Sequence, residues 1–111
     1  MSRVLALVPD LMDRSKLTAA LGADVELVAT PGHLSQRLTG DGPDPAIVVV
    51  DLGRRGTIDA LPAIRAATGA RIIGFGPHVE RDLLSAARHA GCDEVLARSL
   101  FFSTLDQLLA P

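Results

Sequence analysis

Tryptophan and tyrosine are absent from this 111-residue chain and phenylalanine occurs three times, so few aromatic platforms exist on which bases or sugars could stack. A single cysteine, Cys92, excludes an internal disulfide and any multi-thiolate metal site, which makes the cytosol the simplest setting. The 11 Lys and Arg stand against 13 Asp and Glu, a formal charge of −2, with no basic excess to draw nucleic acid or anionic lipid. Long hydrophobic runs are missing too. The opening "MSRVLALVPD" has only a short apolar stretch, residues 4–8, before Pro9; it is too brief for a signal-peptide core, and nothing later approaches a membrane span. The phosphate loop GxxxxGK(S/T), the nucleophile elbow GxSxG and the zinc motif HExxH do not occur. "GFGPHV" lacks the GxGxxG order and does not follow the first strand, so it is a poor dinucleotide site. No enzymatic activity, nucleic-acid partner or membrane partner is expected.

What the chain does have is apolar content, 48% hydrophobic against 22% charged residues, enough for a single domain over residues 1–111 with a real core. Apolar β-type runs alternate with segments of helical period. Residues 4–8 read as a strand closed by Pro9. "DLMDRSKLTAALG" follows as a helix capped by Asp10, with Asp13 favouring its positive end and Gly22 stopping it. "VELVAT" reads as the second strand, and "TPGHLSQRLTG" as a helix with Thr30 as cap and Pro31 at its first position. Residues 46–51, "AIVVVD", form the third and most buried strand. A third helix lies in "TIDALPAIRAATG" and is expected to start at Pro62. After the strand "ARIIGFG", the segment "VERDLLSAARHAG" places Val79, Leu83 and Ala86 on one face of a helix ended by Gly91, and "DEVLA" is the fifth strand. In "SLFFSTLDQLLA", Phe101, Leu105, Leu108 and Leu109 are spaced as the core-facing stripe of a last helix.

Strict βα alternation implies a parallel sheet with right-handed crossovers and helices on both faces. The chain is too short for the eight units of a barrel. The expected fold is therefore α/β, a doubly wound five-stranded parallel sheet of order 2-1-3-4-5, flavodoxin-like. In such sheets sites form at the carboxyl ends of the strands, near the switch point between the first and third. This sequence places Pro9, Asp10, Asp51, Gly53, Gly76, Pro77, His78, Arg98 and Ser99 there.

With that order, and with "PAIVVVDLGRRG" ending a buried strand in Asp51, residues 4–109 resemble the receiver domain of response regulators in bacterial two-component signalling. The second half, "RIIGFGPHVERDLLSAARHAGCDEVLARSLF", follows the family's fourth strand, its helix ending in Ala-Gly, its short fifth strand and the basic residue before the last helix. The resemblance implies that Asp51 occupies the phosphoacceptor position and that Pro9 and Asp10 stand where an acidic pair binds magnesium. It puts Gly76 where a small hydroxyl residue ends the fourth strand and Val95 where an aromatic switch residue sits. Arg98 and Ser99 replace a lysine and a proline.

These departures have chemical consequences. Magnesium prefers hard oxygen ligands, and proline in place of one acid removes a charge. Asp10, Asp51 and the Gly53 carbonyl are left as the elements of a weak magnesium site, and no other cofactor is implied. Gly76 has no hydroxyl to follow a new phosphoryl group, and Val95 has no ring to turn inward. Arg98 keeps its charge and can fork onto a carboxylate, so an Arg98–Asp51 pair is expected to hold the site without a metal. Arg54 and Arg55 either share that role or lie in a solvated loop. His78 at the rim is either an acid, base or ligand or a loop residue. His33 and His89 read as surface residues, and Cys92 as a small apolar one.

The leading reading is a stand-alone pseudo-receiver that acts by docking to another signalling protein, with atypical or absent phosphorylation. The alternative is a functional receiver phosphorylated on Asp51, and a flavodoxin-like domain that binds a small molecule is a third. The docking face that the resemblance implies comprises the fourth helix, fifth strand and fifth helix, with a homodimer as one outcome. Phe102, next to Phe101, is either buried or an exposed aromatic rimmed by Arg81, Arg88, Asp106 and Gln107.

Overall fold

A computed structural model describes residues 3–77 and 81–109 of the chain. Strands β1 (Val4–Leu7), β2 (Val25–Val28), β3 (Ile47–Asp51), β4 (Arg71–Gly76) and β5 (Glu94–Ala97) form one parallel sheet in the order β2-β1-β3-β4-β5. Between and after them run α1 (Leu11–Leu21), α2 (Pro31–Thr39), α3 (Thr57–Ala67), α4 (Arg81–Ala90), α5 (Arg98–Ser103) and α6 (Leu105–Leu108). This is the order expected from the alternation, and it leaves the switch point between β1 and β3.

The strands are apolar on both faces, so their two-residue period sorts them into two cores. Leu5, Leu7, Val48, Val50 and Ile72 pack with Leu34 of α2, Leu61 and Ile64 of α3 and Ala87 of α4. Val4, Ala6, Ile47, Val49, Ile73 and Phe75 pack on the other side with Leu17 of α1, Phe101 of α5, Leu105 and Leu109. Asp51 follows Val49 by two residues, so the same alternation sends its side chain toward the α1–α5 side.

The helix starts follow the capping residues. Asp10 and Thr30 accept hydrogen bonds from the Asp13 and His33 backbone N–H groups, each at 3.0 Å, and Gly22 ends α1 at a φ of 57°.

Three expectations need correction. The third helix starts at Thr57, not at Pro62, and runs through the proline. Pro62 lies on the exposed side of the helix, while Thr57, Leu61 and Ile64 bury the opposite side. The last helix is broken at Thr104, whose Oγ1 donates to the Leu100 carbonyl at 2.7 Å; a hydroxyl that competes for a helix carbonyl is a recognised cause of such breaks. The inward face of α4 is Leu84, Ala87 and Ala90. Ala86 is exposed and Leu83 half-buried, and Val79 lies outside the described residues.

Candidate functional site

The central strand β3 ends by delivering Asp51 to the carboxyl edge with only 7% of the residue exposed. Its Oδ1 accepts from the Gly53 backbone N–H at 2.9 Å, and its Oδ2 lies 3.7 Å from Nε of Arg54. A Cβ on residue 53 would stand 3.2 Å from that Oδ1, so the absent side chain lets the loop close onto the carboxylate. Burial holds the Asp51 carboxyl above its ordinary range. The Gly53 N–H and the Arg54 charge pull it down, and the neighbouring Asp13 pushes it further up. Asp10 spends one oxygen on the cap of α1, and the Asp13 N–H that it accepts is the main cause holding its carboxyl below the ordinary range.

Asp13 is a site residue that sequence reasoning missed. It is fully buried in α1; Arg98, the first residue of α5, reaches across to donate to its Oδ1, while its Oδ2 has no hydrogen-bond partner among the described residues. The expected Arg98–Asp51 pair is thus replaced by Arg98–Asp13, and Arg54 is the cation beside Asp51. Energetics favour that exchange. Asp51 already has the Gly53 N–H and Arg54, whereas Asp13 without Arg98 would be a buried, uncompensated charge. The signal was available in the spacing, since Asp13 precedes Leu17, the buried apolar residue of α1, by one helical turn and so shares its inward stripe.

The guanidinium of Arg98 rests over the rings of Phe75 and Phe102, at 5.9 and 5.3 Å from their centroids. Hydrogen bonding to Asp13 is the leading cause that raises its pKa, and Asp51 and Asp10 add to the effect. Phe102 itself is half-buried, edge-on to Phe75 and Phe101, with Nζ of Lys16 4.9 Å from its centroid. It therefore packs toward α1. Arg88 lies exposed on α4, across the sheet, so the two interface candidates are not brought together. Ser99 is exposed and lines a recess with Lys16, Pro77, Arg98 and Phe102.

Gly76 is buried at the end of β4, and Val95 is buried in the core opposite Asp51. Arg55, His33 and His89 are exposed, and His78 lies outside the described residues. Among the described residues, no group of three or more His, Cys, Asp or Glu side chains is placed to hold a metal ion. Of the acids at this edge, Asp10 caps a helix and Asp13 is taken by a guanidinium. The carboxylate oxygens left over are Oδ2 of Asp10 and Oδ2 of Asp51, and a magnesium ion held there would take the rest of its octahedron from water and backbone carbonyls.

No family model and no curated relative matches the chain. Solved structures do match in shape. A response regulator from Hahella chejuensis superposes with a TM-score of 0.84 at 16% identity, covering 97% of this chain and 92% of that one. A response regulator in red light signaling of R. palustris gives 0.80 at 18% identity, covering 97% and 91%. A response regulator protein from Burkholderia pseudomallei, solved with a phosphorylated aspartic acid, calcium and citrate, gives 0.76 at 15% identity, covering 99% and 74%. At such identities the likeness carries the architecture and nothing finer: the chain has the doubly wound fold of response regulators.

Proposed function

We propose that the chain is a pseudo-receiver, a signalling module that acts by docking to another signalling protein and in which fixed charge pairs replace the phosphorylation switch. The observation that carries this reading is the commitment of Arg98 to the buried Asp13. A cation that would otherwise answer a phosphoryl group on Asp51 is held by a different carboxylate, and Gly76 and Val95 supply neither hydroxyl nor ring. The exposed apolar residues support a docking role. Leu11 and Met12, 79% and 71% exposed, open α1, and Leu100 lies exposed on α5; adjacent exposed apolar side chains are a common mark of contact surface. The favoured surface thus lies at the first turns of α1 and α5.

Incubation with magnesium and acetyl phosphate, followed by intact mass measurement, tests the reading. No added phosphoryl mass is expected. A gain of one phosphoryl group, lost in Asp51→Asn, would establish instead a working phosphoacceptor.

A further inference from the structure

Lys16 is the single lysine among the 11 basic residues of the chain. It lies exposed on α1 with no salt-bridge partner among the described residues. Its Nζ stands instead 4.9 Å from the centroid of Phe102, the same ring that Arg98 approaches at 5.3 Å. A ring face attracts and positions a cation without cancelling its charge. Both cations line one recess of about 380 Å³ with Pro77, Ser99 and Phe102, and of the two only Arg98 has a carboxylate, that of Asp13. Two positive charges against one negative leave the recess with an excess of one. Arg98 spends one N–H of its five-donor fork on Asp13, while Lys16 brings a three-donor ammonium and Ser99 an exposed hydroxyl. Met12, exposed and one helical turn before Lys16, puts an apolar side chain beside the same recess.

We propose that the recess between α1 and α5 is a seat for one carboxylate, supplied by an acidic side chain of the docking partner whose neighbouring apolar residue rests on Met12. This rests on the docking reading and names the partner's chemistry. The excess of one charge matches a monoanion. Asp10 and Asp51 add negative charge on the edge side of Arg98, and Arg54 beside Asp51 offsets only part of it, so a dianion such as phosphate is the poorer match. Arg98 stays on Asp13 throughout and offers its unspent N–H groups, whose planar fork suits a carboxylate. Lys16 supplies the charge that Asp13 leaves uncancelled. An apolar contact beside a charge-assisted one gives the mixed character of a non-obligate interface. A phosphoryl group found on Asp51 would overturn the pseudo-receiver reading and leave this seat standing, whereas the titrations below bear on the seat alone.

Because Lys16 is the sole lysine, lysine-selective 13C labelling gives one Cε signal from one wall of the recess, and the Ser99 backbone amide reports the other. Three probes are titrated at constant ionic strength: a blocked peptide with one glutamate between two leucines, its glutamine counterpart, and acetate. The glutamate peptide should shift both signals saturably at millimolar concentration. The glutamine peptide, which lacks the charge, and acetate, which lacks the apolar contact, should each bind about fivefold more weakly. Lys16→Met keeps an apolar stem at an exposed position and removes the charge, so the glutamate peptide should lose about fivefold when read at Ser99. Equal binding of the two peptides, or no loss in Lys16→Met, would refute a carboxylate seat. Acetate binding as tightly as the peptide would overturn the docking segment as its occupant, and a glutamate peptide that moves neither signal would overturn the proposal outright.

Discussion

Asp51 holds its charge in a place that disfavours it, and that has a pH signature. Its pKa in the folded chain is raised from the ordinary 3.8, chiefly by burial. The folded state therefore binds this proton more tightly than the unfolded state. The stabilisation from the protonated group is complete below the unfolded value and is lost as pH rises through the folded one. Asp51→Asn can keep the Gly53 hydrogen bond through its amide oxygen and removes the charge. The ion pair with Arg54 that this variant gives up, at 3.7 Å and with Arg54 half-exposed, is of the kind that contributes little. The variant should melt a few degrees above wild type at neutral pH, roughly the shift of 1 kcal/mol in a domain of this size, and that advantage should vanish below about pH 4. Asp10 titrates alike in both proteins and cancels in the difference. At Cys92 burial pushes the thiol up to about 11, so the native protein should resist alkylation at pH 8 and react promptly once unfolded in urea. Fast native alkylation would show that this side chain is not packed as described.

Among the elements, what the sequence made plain was whatever a single residue enforces locally. Asp10 and Thr30 mark helix starts because their side chains satisfy backbone donors, and Gly22 marks an end because it accepts a positive φ. Pro62 misled because its local cost, a lost hydrogen bond and a ring clash, is offset by the burial of Thr57 and Leu61, which precede it and reach the core only if α3 starts at Thr57. The break at Thr104 depends on a hydroxyl reaching back one turn, which hydrophobic period does not record. Gly91 tests this level directly. It follows α4 at a φ of 136°, and a Cβ there would lie 2.8 Å from Cβ of Arg65 on α3. Gly91→Ala should cost about 2–3 kcal/mol from backbone strain and the clash together, measured as a drop in the urea midpoint at unchanged slope. A loss below about 0.5 kcal/mol would mean that the α3–α4 packing is looser than these distances imply.

For the whole molecule, the alternation of apolar runs and helical segments was enough to specify the sheet order, because right-handed crossovers leave few other ways to bury strands apolar on both faces. The site was legible only in part. Asp51 could be read because a charge ends a wholly apolar run, and Asp10 because it caps a helix. The partner of Arg98 could not be read from its own neighbourhood, since Asp13 is 85 residues away in sequence and looks like an ordinary helix-dipole acid until the inward stripe of α1 is drawn through Leu17. The chemistry of the carboxyl edge turns on that pair. Arg98 bound to Asp13 makes the edge a fixed charge network, and Arg98 free for Asp51 would make it a conventional acceptor site. The most direct measurement is the backbone amide NMR spectrum with and without magnesium and beryllofluoride, a phosphoryl mimic that requires an accepting carboxylate and a metal. The amides of Gly53, Gly76 and the first turn of α5 are expected to stay where they are; saturable shifts at those positions, abolished by Asp51→Asn, would contradict the fixed network.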